Sequence, residues 1–157
     1  MRLSASLLVI SAIALASTTA AKRQCPPHVV AAATGINLNI VGPKAELAFV
    51  KLLQKIQSDT NQDGYPSAFE IGEGQLIASI ELGQLIRTFN QKTLPSGNDA
   101  ISGLATVQKA QGTELDLAKS LTGKAEHDRK VLATLVTDIE NGTAQNKKNL
   151  AAVSDFF

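Results

Sequence analysis

Asp59, Asn61, Asp63, Gly64 and Glu70 follow the spacing D-x-N-x-D-G-x5-E of an EF-hand calcium loop. In that order, carboxylates and an amide oxygen converge on a hard cation, the Tyr65 carbonyl adds a ligand, and Glu70 binds through both oxygens. Apolar-periodic segments precede and follow the loop, as such a site requires. Pro66 stands at the eighth loop position, where paired loops need a free amide, and the chain has no second loop of this kind. A turn at Asp63-Gly64 and a capping box of Ser67 and Glu70 account for most of the same residues without a metal. A calcium module and a plain capped turn are the two readings of this loop.

Asn141-Gly142-Thr143 is an acceptor for N-glycosylation. Asn141 lies two residues beyond the apolar Ile139, which projects it away from the core stripe. Patterns for catalysis are missing. His28 and His127 stand far apart, and neither has the short-range partner of a zinc helix. No serine occupies a G-x-S-x-G elbow. Gly72-Glu73-Gly74 lacks the preceding strand of a phosphate-binding loop. The chain has no tryptophan and a single tyrosine, so the aromatic platforms of sugar-handling sites are absent. The expectation is a binding protein with no catalytic residues and no cofactor beyond the calcium reading.

The N-terminal segment reads as an export address. Arg2, the apolar run Leu7–Ala16 and the small residues Thr18-Thr19-Ala20-Ala21 match a signal peptide over residues 1–21. Lys22-Arg23 follows, a dibasic pair of the kind kexin-type proteases cut. Cleavage there leaves 134 residues, residues 24–157, enough for one domain with its own core. It also lowers the basic count from 15 to 12 against 14 acids, a net charge of about −2. With no basic run, nothing favours nucleic acid or anionic lipid as partner. No later stretch is long and apolar enough to span a bilayer. Cys25 is the one cysteine, so it either stays a free thiol or pairs with a second chain in a disulfide-linked homodimer.

From Val29 onward the apolar spacing is helical. Val29, Ala33, Ile36, Ile40, Leu47 and Val50 form one stripe, and Leu38, Val41, Ala45, Phe49, Leu52 and Ile56 a second. The first stripe crosses Gly42-Pro43 in register, which predicts one helix kinked near Pro43; Gly-then-Pro is also an end-of-helix signal, and two separate helices are the alternative. A second helix opens at Ser67, with Phe69, Leu76, Ile80 and Gly83 on one side. Leu82, Leu85, Ile86 and Phe89 lie on the other, so it should be largely buried. A third helix uses Ile101, Leu104, Leu115 and Ala118 and stops at Gly123. A fourth uses Leu132, Leu135, Ile139, Leu150, Val153 and Phe157, with polar Gly142 and Asn146 suggesting a bend or break between them. His127-Asp128-Arg129 reads as its solvated start. The short connectors predict an all-α, up-and-down four-helix bundle. The doubled stripes leave surplus apolar surface.

The dibasic export segment, the helical run from Val29 to Ile56 and the ending Asn146-Lys147-Lys148-Asn149-Leu150-Ala151-Ala152-Val153 resemble the fungal hydrophobic surface-binding proteins and related cell-wall mannoproteins. The resemblance implies a small helical protein, secreted or held in the wall, that adsorbs to apolar surfaces or lipid without catalysis. A secreted effector meeting a host protein outside the cell is the second functional expectation, and the calcium module the third.

Overall fold

Five helical segments build the protein: α1 (Pro27–Val41), α2 (Pro43–Ser58), α3 (Tyr65–Thr93), α4 (Ala100–Lys119) and α5 (Ala125–Ser154). They are seen in a computed structural model that describes residues 25–59 and 65–154. The export segment with Lys22-Arg23, the loop residues Asn61, Asp63 and Gly64, and Phe157 lie outside the described residues. There is no strand among the described residues.

α1 and α2 are one helix with a bend. Gly42 keeps right-handed helical dihedrals, φ −51° and ψ −44°, and its N–H bonds the Leu38 carbonyl at 2.8 Å. A residue before proline is normally pushed out of this region by its own Cβ, a clash that glycine escapes. Pro43 has no N–H, however, so the carbonyl four residues back, that of Asn39, loses its helical partner. α5 supplies the replacement: Asn146 Nδ2 donates to the Asn39 carbonyl at 3.0 Å, with both residues buried. The polar middle of α5 is thus no break. α5 runs unbroken from Ala125 to Ser154, and Asn146 faces inward because the kink opposite needs a donor.

Other boundaries also shift. α3 begins at Tyr65, so Ser67 is inside its first turn and not the capping residue. α4 ends at Lys119, before Gly123, whose φ of 75° belongs to the connector. Asp128 is buried, not solvated. Its Oδ1 accepts the Thr122 N–H and hydroxyl, each at 3.0 Å, and its Oδ2 accepts Gln57 Nε2 at 2.8 Å. One carboxylate therefore pins the α4–α5 connector to the end of α2.

The bent α1–α2 helix packs on α3 and α5, α4 packs on the same two, and the diagonal pairs do not meet. This is an up-and-down four-helix bundle. Its apolar core is split. Val50, Leu53, Phe69, Leu76, Ile80, Leu132, Leu135 and Ile139 fill one end, and Val29, Ala32, Ile36, Leu94, Leu104 and Val153 the other. Each fully buried Leu, Ile, Val or Phe contributes about 1.5–3 kcal/mol. Between the two clusters lies a polar layer of Glu46, Arg87, Gln111, Glu114 and Asn146, all nearly inaccessible to water.

The contacts also reveal an internal repeat. Gly35 and Glu46-Leu47 of the first helix recur as Gly103 and Glu114-Leu115 of α4, with the same spacing. Ile80-Glu81, Gly83 and Asn90 of α3 recur as Ile139-Glu140, Gly142 and Asn149 of α5. The packing matches too. The Asn90 side chain fills the place a Cβ on Gly35 would take, and Asn149 does the same at Gly103. The bundle is two like hairpins, α1–α2–α3 and α4–α5, laid against each other.

The Pro43–Asn146 relationship is open to a double-mutant cycle. Asn146→Ala should cost about 1–3 kcal/mol by stranding the Asn39 carbonyl. The cost should shrink in a Pro43→Ala background, where residue 43 regains the N–H that closes the helical bond. Denaturant unfolding of the four chains measures the coupling, and strictly additive costs would contradict it.

Candidate functional site

The second stripe of α3 was expected to be largely buried, and it is the main correction to the sequence reading. Leu85 is 70% exposed, and Leu82 and Phe89 are also exposed, with only Ile86 half-buried. Ile71, on the same side of α3, is exposed as well. On the adjoining helix Val30, Leu38, Val41 and Leu52 face solvent. The two stripes meet in a groove of about 510 Å³ between α1 and α3, lined by Ala31, Thr34, Gly35, Leu38, Leu85, Ile86 and Phe89. No titratable side chain lines it. Its floor is low because Ala31 and Gly35 are small. Its walls are the exposed leucines and the phenylalanine.

Isolated exposed leucines are ordinary on a soluble protein. A row of them on two neighbouring helices is not. The internal repeat supplies a control within the same molecule. The places of Leu38 and Val41 are held in the second hairpin by Thr106 and Lys109, both exposed. Those of Ile71 and Leu82 are held by Lys130 and Asn141, and those of Leu85 and Phe89 by Ala144 and Lys148, again all exposed. Inside, the glycine notches, isoleucines and glutamates are kept alike, although Asn39, Pro43 and Arg87 answer to Val107, Gln111 and Asn146; outside, the positions diverge, apolar on one hairpin and mostly polar on the other. Packing needs cannot produce that difference, because neither set of side chains is inside the bundle.

The second hairpin also carries the glycosylation acceptor. Asn141 is exposed on α5, at the position matching Leu82, while Thr143 spends its hydroxyl on the Ile139 carbonyl at 2.9 Å. The acceptor thus lies on the hairpin whose outward side is polar.

The interior layer is the second unusual feature. Arg87 is completely buried, and its Nη1 donates to Gln111 Oε1 across the α3–α4 contact. Its Nε and Nη2 have no hydrogen-bond partner. Burial pushes the Glu46 carboxyl up to about 7, against the pull of Arg87. Glu114 is also pushed up to about 7, by burial first and then by the Glu46 charge, with Arg87 opposing. Burial lowers the Arg87 guanidinium to about 10, still charged at neutral pH, with Glu114 and Glu46 working against the loss of its proton. This layer holds its own cation, a guanidinium.

The remaining sequence-predicted positions fall as follows. Asp59 and Glu70 are exposed on either side of residues 60–64, and Asn61 and Asp63 are outside the described residues, as is the side chain of Tyr65. Among the described residues no cluster of three or more His, Cys, Asp or Glu could hold a metal ion. Cys25 is a free, exposed thiol. His28 is exposed on α1, while His127 places Nδ1 2.9 Å from Asp128 Oδ1, so the two histidines serve different neighbourhoods. No described helix is long and apolar enough to cross a membrane.

Comparison with protein-family models, curated proteins and solved structures gives no match, so the apolar face and the polar layer stand on this chain's own residues.

The exposure of Asn141 predicts that the protein secreted by a glycosylating host carries a glycan there. Enzymatic deglycosylation should increase its electrophoretic mobility, and Asn141→Gln should abolish the shift. An unshifted wild-type band would reject the expectation.

Proposed function

We propose that this protein acts by adsorption, laying the outer side of its first hairpin on an extended apolar surface, either a hydrophobic solid or the acyl region of a lipid layer. The observation that carries this reading is the contrast between hairpins: the exposed positions that are Leu38, Leu82, Leu85 and Phe89 on one are Thr106, Asn141, Ala144 and Lys148 on the other. A one-sided amphiphile of this kind fits an interface better than it fits a small ligand, because its apolar residues run along two helices instead of lining an enclosed cavity. Removing that surface from water contributes roughly 25 cal/mol per Å². Several half-exposed large side chains acting together therefore supply several kcal/mol without any change in the fold.

The export segment, the sequon on the polar hairpin and the resemblance to fungal hydrophobic surface-binding proteins support the same reading. The protein would work outside the cell or in the wall, by binding and not by turnover. The outward second hairpin, with any glycan at Asn141, would keep the coated surface wettable.

Retention on alkyl-coated beads tests the reading with chains whose folding is untouched, since the altered residues are exposed. The Leu38→Ser/Leu85→Ser/Phe89→Ser chain should bind roughly 100-fold more weakly than wild type. Thr106→Leu/Ala144→Leu/Lys148→Phe, which copies the apolar side onto the second hairpin, should bind more tightly. Equal retention of all three chains would refute the assignment of the face.

A further inference from the structure

We propose that Glu46, Arg87 and Glu114 form a proton-operated latch across the seam between the two hairpins, shut when one carboxyl holds a proton and loosened when both are ionised. The proposal concerns the interior and stands whether or not the outer side of the first hairpin adsorbs.

The geometry sets the charge count. The three side chains line one small internal cavity of about 10 Å³, together with Pro43, Gln111 and Asn146. Arg87 is wholly buried and the two glutamates are each 2% exposed, so water does little to screen them. One guanidinium balances one carboxylate. A second ionised carboxyl leaves an uncompensated charge in the low-dielectric interior, the costliest kind of buried group. Glu46 belongs to the first hairpin and Glu114 to the second, at matching places in the repeat. Their mutual repulsion therefore acts across the seam and tends to part the hairpins.

Little else holds the seam at this level. Arg87 spans it with one hydrogen bond to Gln111 and has two further N–H groups unpartnered. Gln84 Nε2 reaches the Gln111 carbonyl at 3.1 Å, and Asn146 holds the Asn39 carbonyl. The other charged groups around the layer are Lys44 on α2 and Asp138, Glu140 and Lys147 on α5. Lys44, Glu140 and Lys147 share a separate groove with Pro43, Ile40 and Leu47, so they flank the kink outside the internal cavity. Asp138 adds to the negative potential at Glu114. None of these supplies a second cation inside the cavity.

The sign follows from proton linkage. Both carboxyls hold protons more tightly in the folded chain, near 7, than their ordinary 4.5. The folded state therefore binds more protons than the unfolded one between those values. The stabilisation is complete below about pH 4.5 and is lost as pH rises through about 7. Because the two groups interact, the loss comes in two macroscopic steps that belong to the pair. Opening in the higher range would bring the two internal apolar clusters within reach of solvent or of a bound surface.

The test compares full-length mature wild type with the Glu114→Gln chain, which leaves Glu46 as the single carboxylate balancing Arg87 at high pH. Raising the pH from 5 to 8 should lower the wild-type Tm by about 5 °C or more relative to that variant. At pH 8 the Glu114→Gln chain should be the more stable of the two. Amide exchange in α2 and α4 should quicken about tenfold over the same range in wild type only. All other ionisable groups are common to both chains and cancel in the comparison. Parallel pH profiles would overturn the latch. So would a Glu114→Gln chain less stable than wild type at pH 8; should that chain fail to fold, Glu46→Gln, which leaves Glu114 opposite Arg87, carries the same expectation and the same refutation.

Discussion

Pro43 lacks the N–H that the Asn39 carbonyl needs, and much of the interior follows from that one missing donor. A buried carbonyl left without a partner costs about 1–3 kcal/mol. Asn146 meets the need from the neighbouring helix, which places an amide where α5 would otherwise carry a leucine or isoleucine. The bend and the amide together divide the core, and the space between the two apolar clusters is filled by Glu46, Arg87, Gln111 and Glu114. Burying charge in the middle of a bundle is a poor way to gain stability. It gains register instead: helices that carry complementary polar groups at one level cannot slide past each other by a turn without leaving those groups unpaired.

The repeat sharpens the distinction between what the fold requires and what it does not. Glycine notches with asparagines seated in them, the paired Ile80 and Ile139, and the matched glutamates all face inward and are alike in both hairpins. Outward residues have no packing duty, and there the hairpins part company. The first presents leucine, valine, isoleucine and phenylalanine. The second presents mostly lysine, threonine and asparagine. A bundle that only needed to be soluble would gain from polar residues on both sides. In the adsorption we propose, the apolar one meets an apolar surface and the polar one faces water.

Helix number, the kink at Pro43 and the antiparallel order were legible because three- and four-residue apolar steps and Gly-Pro punctuation report on local geometry. Burial was less so. α3 carries apolar residues on both sides, and periodicity does not say which side a neighbour covers; Leu82, Leu85 and Phe89 turned out to be the uncovered ones. Asn146 looked like an interruption because its reason lies on another helix. Asp128 looked solvated because its partners, Gln57 and Thr122, come from elsewhere in the chain. The repeat is hidden because α2 runs further past Glu46 than α4 runs past Glu114, which gives the two pairs of matching helices different offsets and leaves no single period to find. Arg87 offered no signal at all: one arginine beside apolar residues reads as a surface group until α4 and α2 close over it.

Hydroxyl-radical footprinting of the mature protein, free and then adsorbed on an alkyl surface, addresses the one-sided face most directly. Leu38, Leu82, Leu85 and Phe89 should lose most of their oxidation on adsorption, while the partly buried Leu115, Leu117 and Val136 of the second hairpin keep theirs. Equal protection of both hairpins, or protection confined to the second, would contradict a protein that meets its surface through α1 and α3.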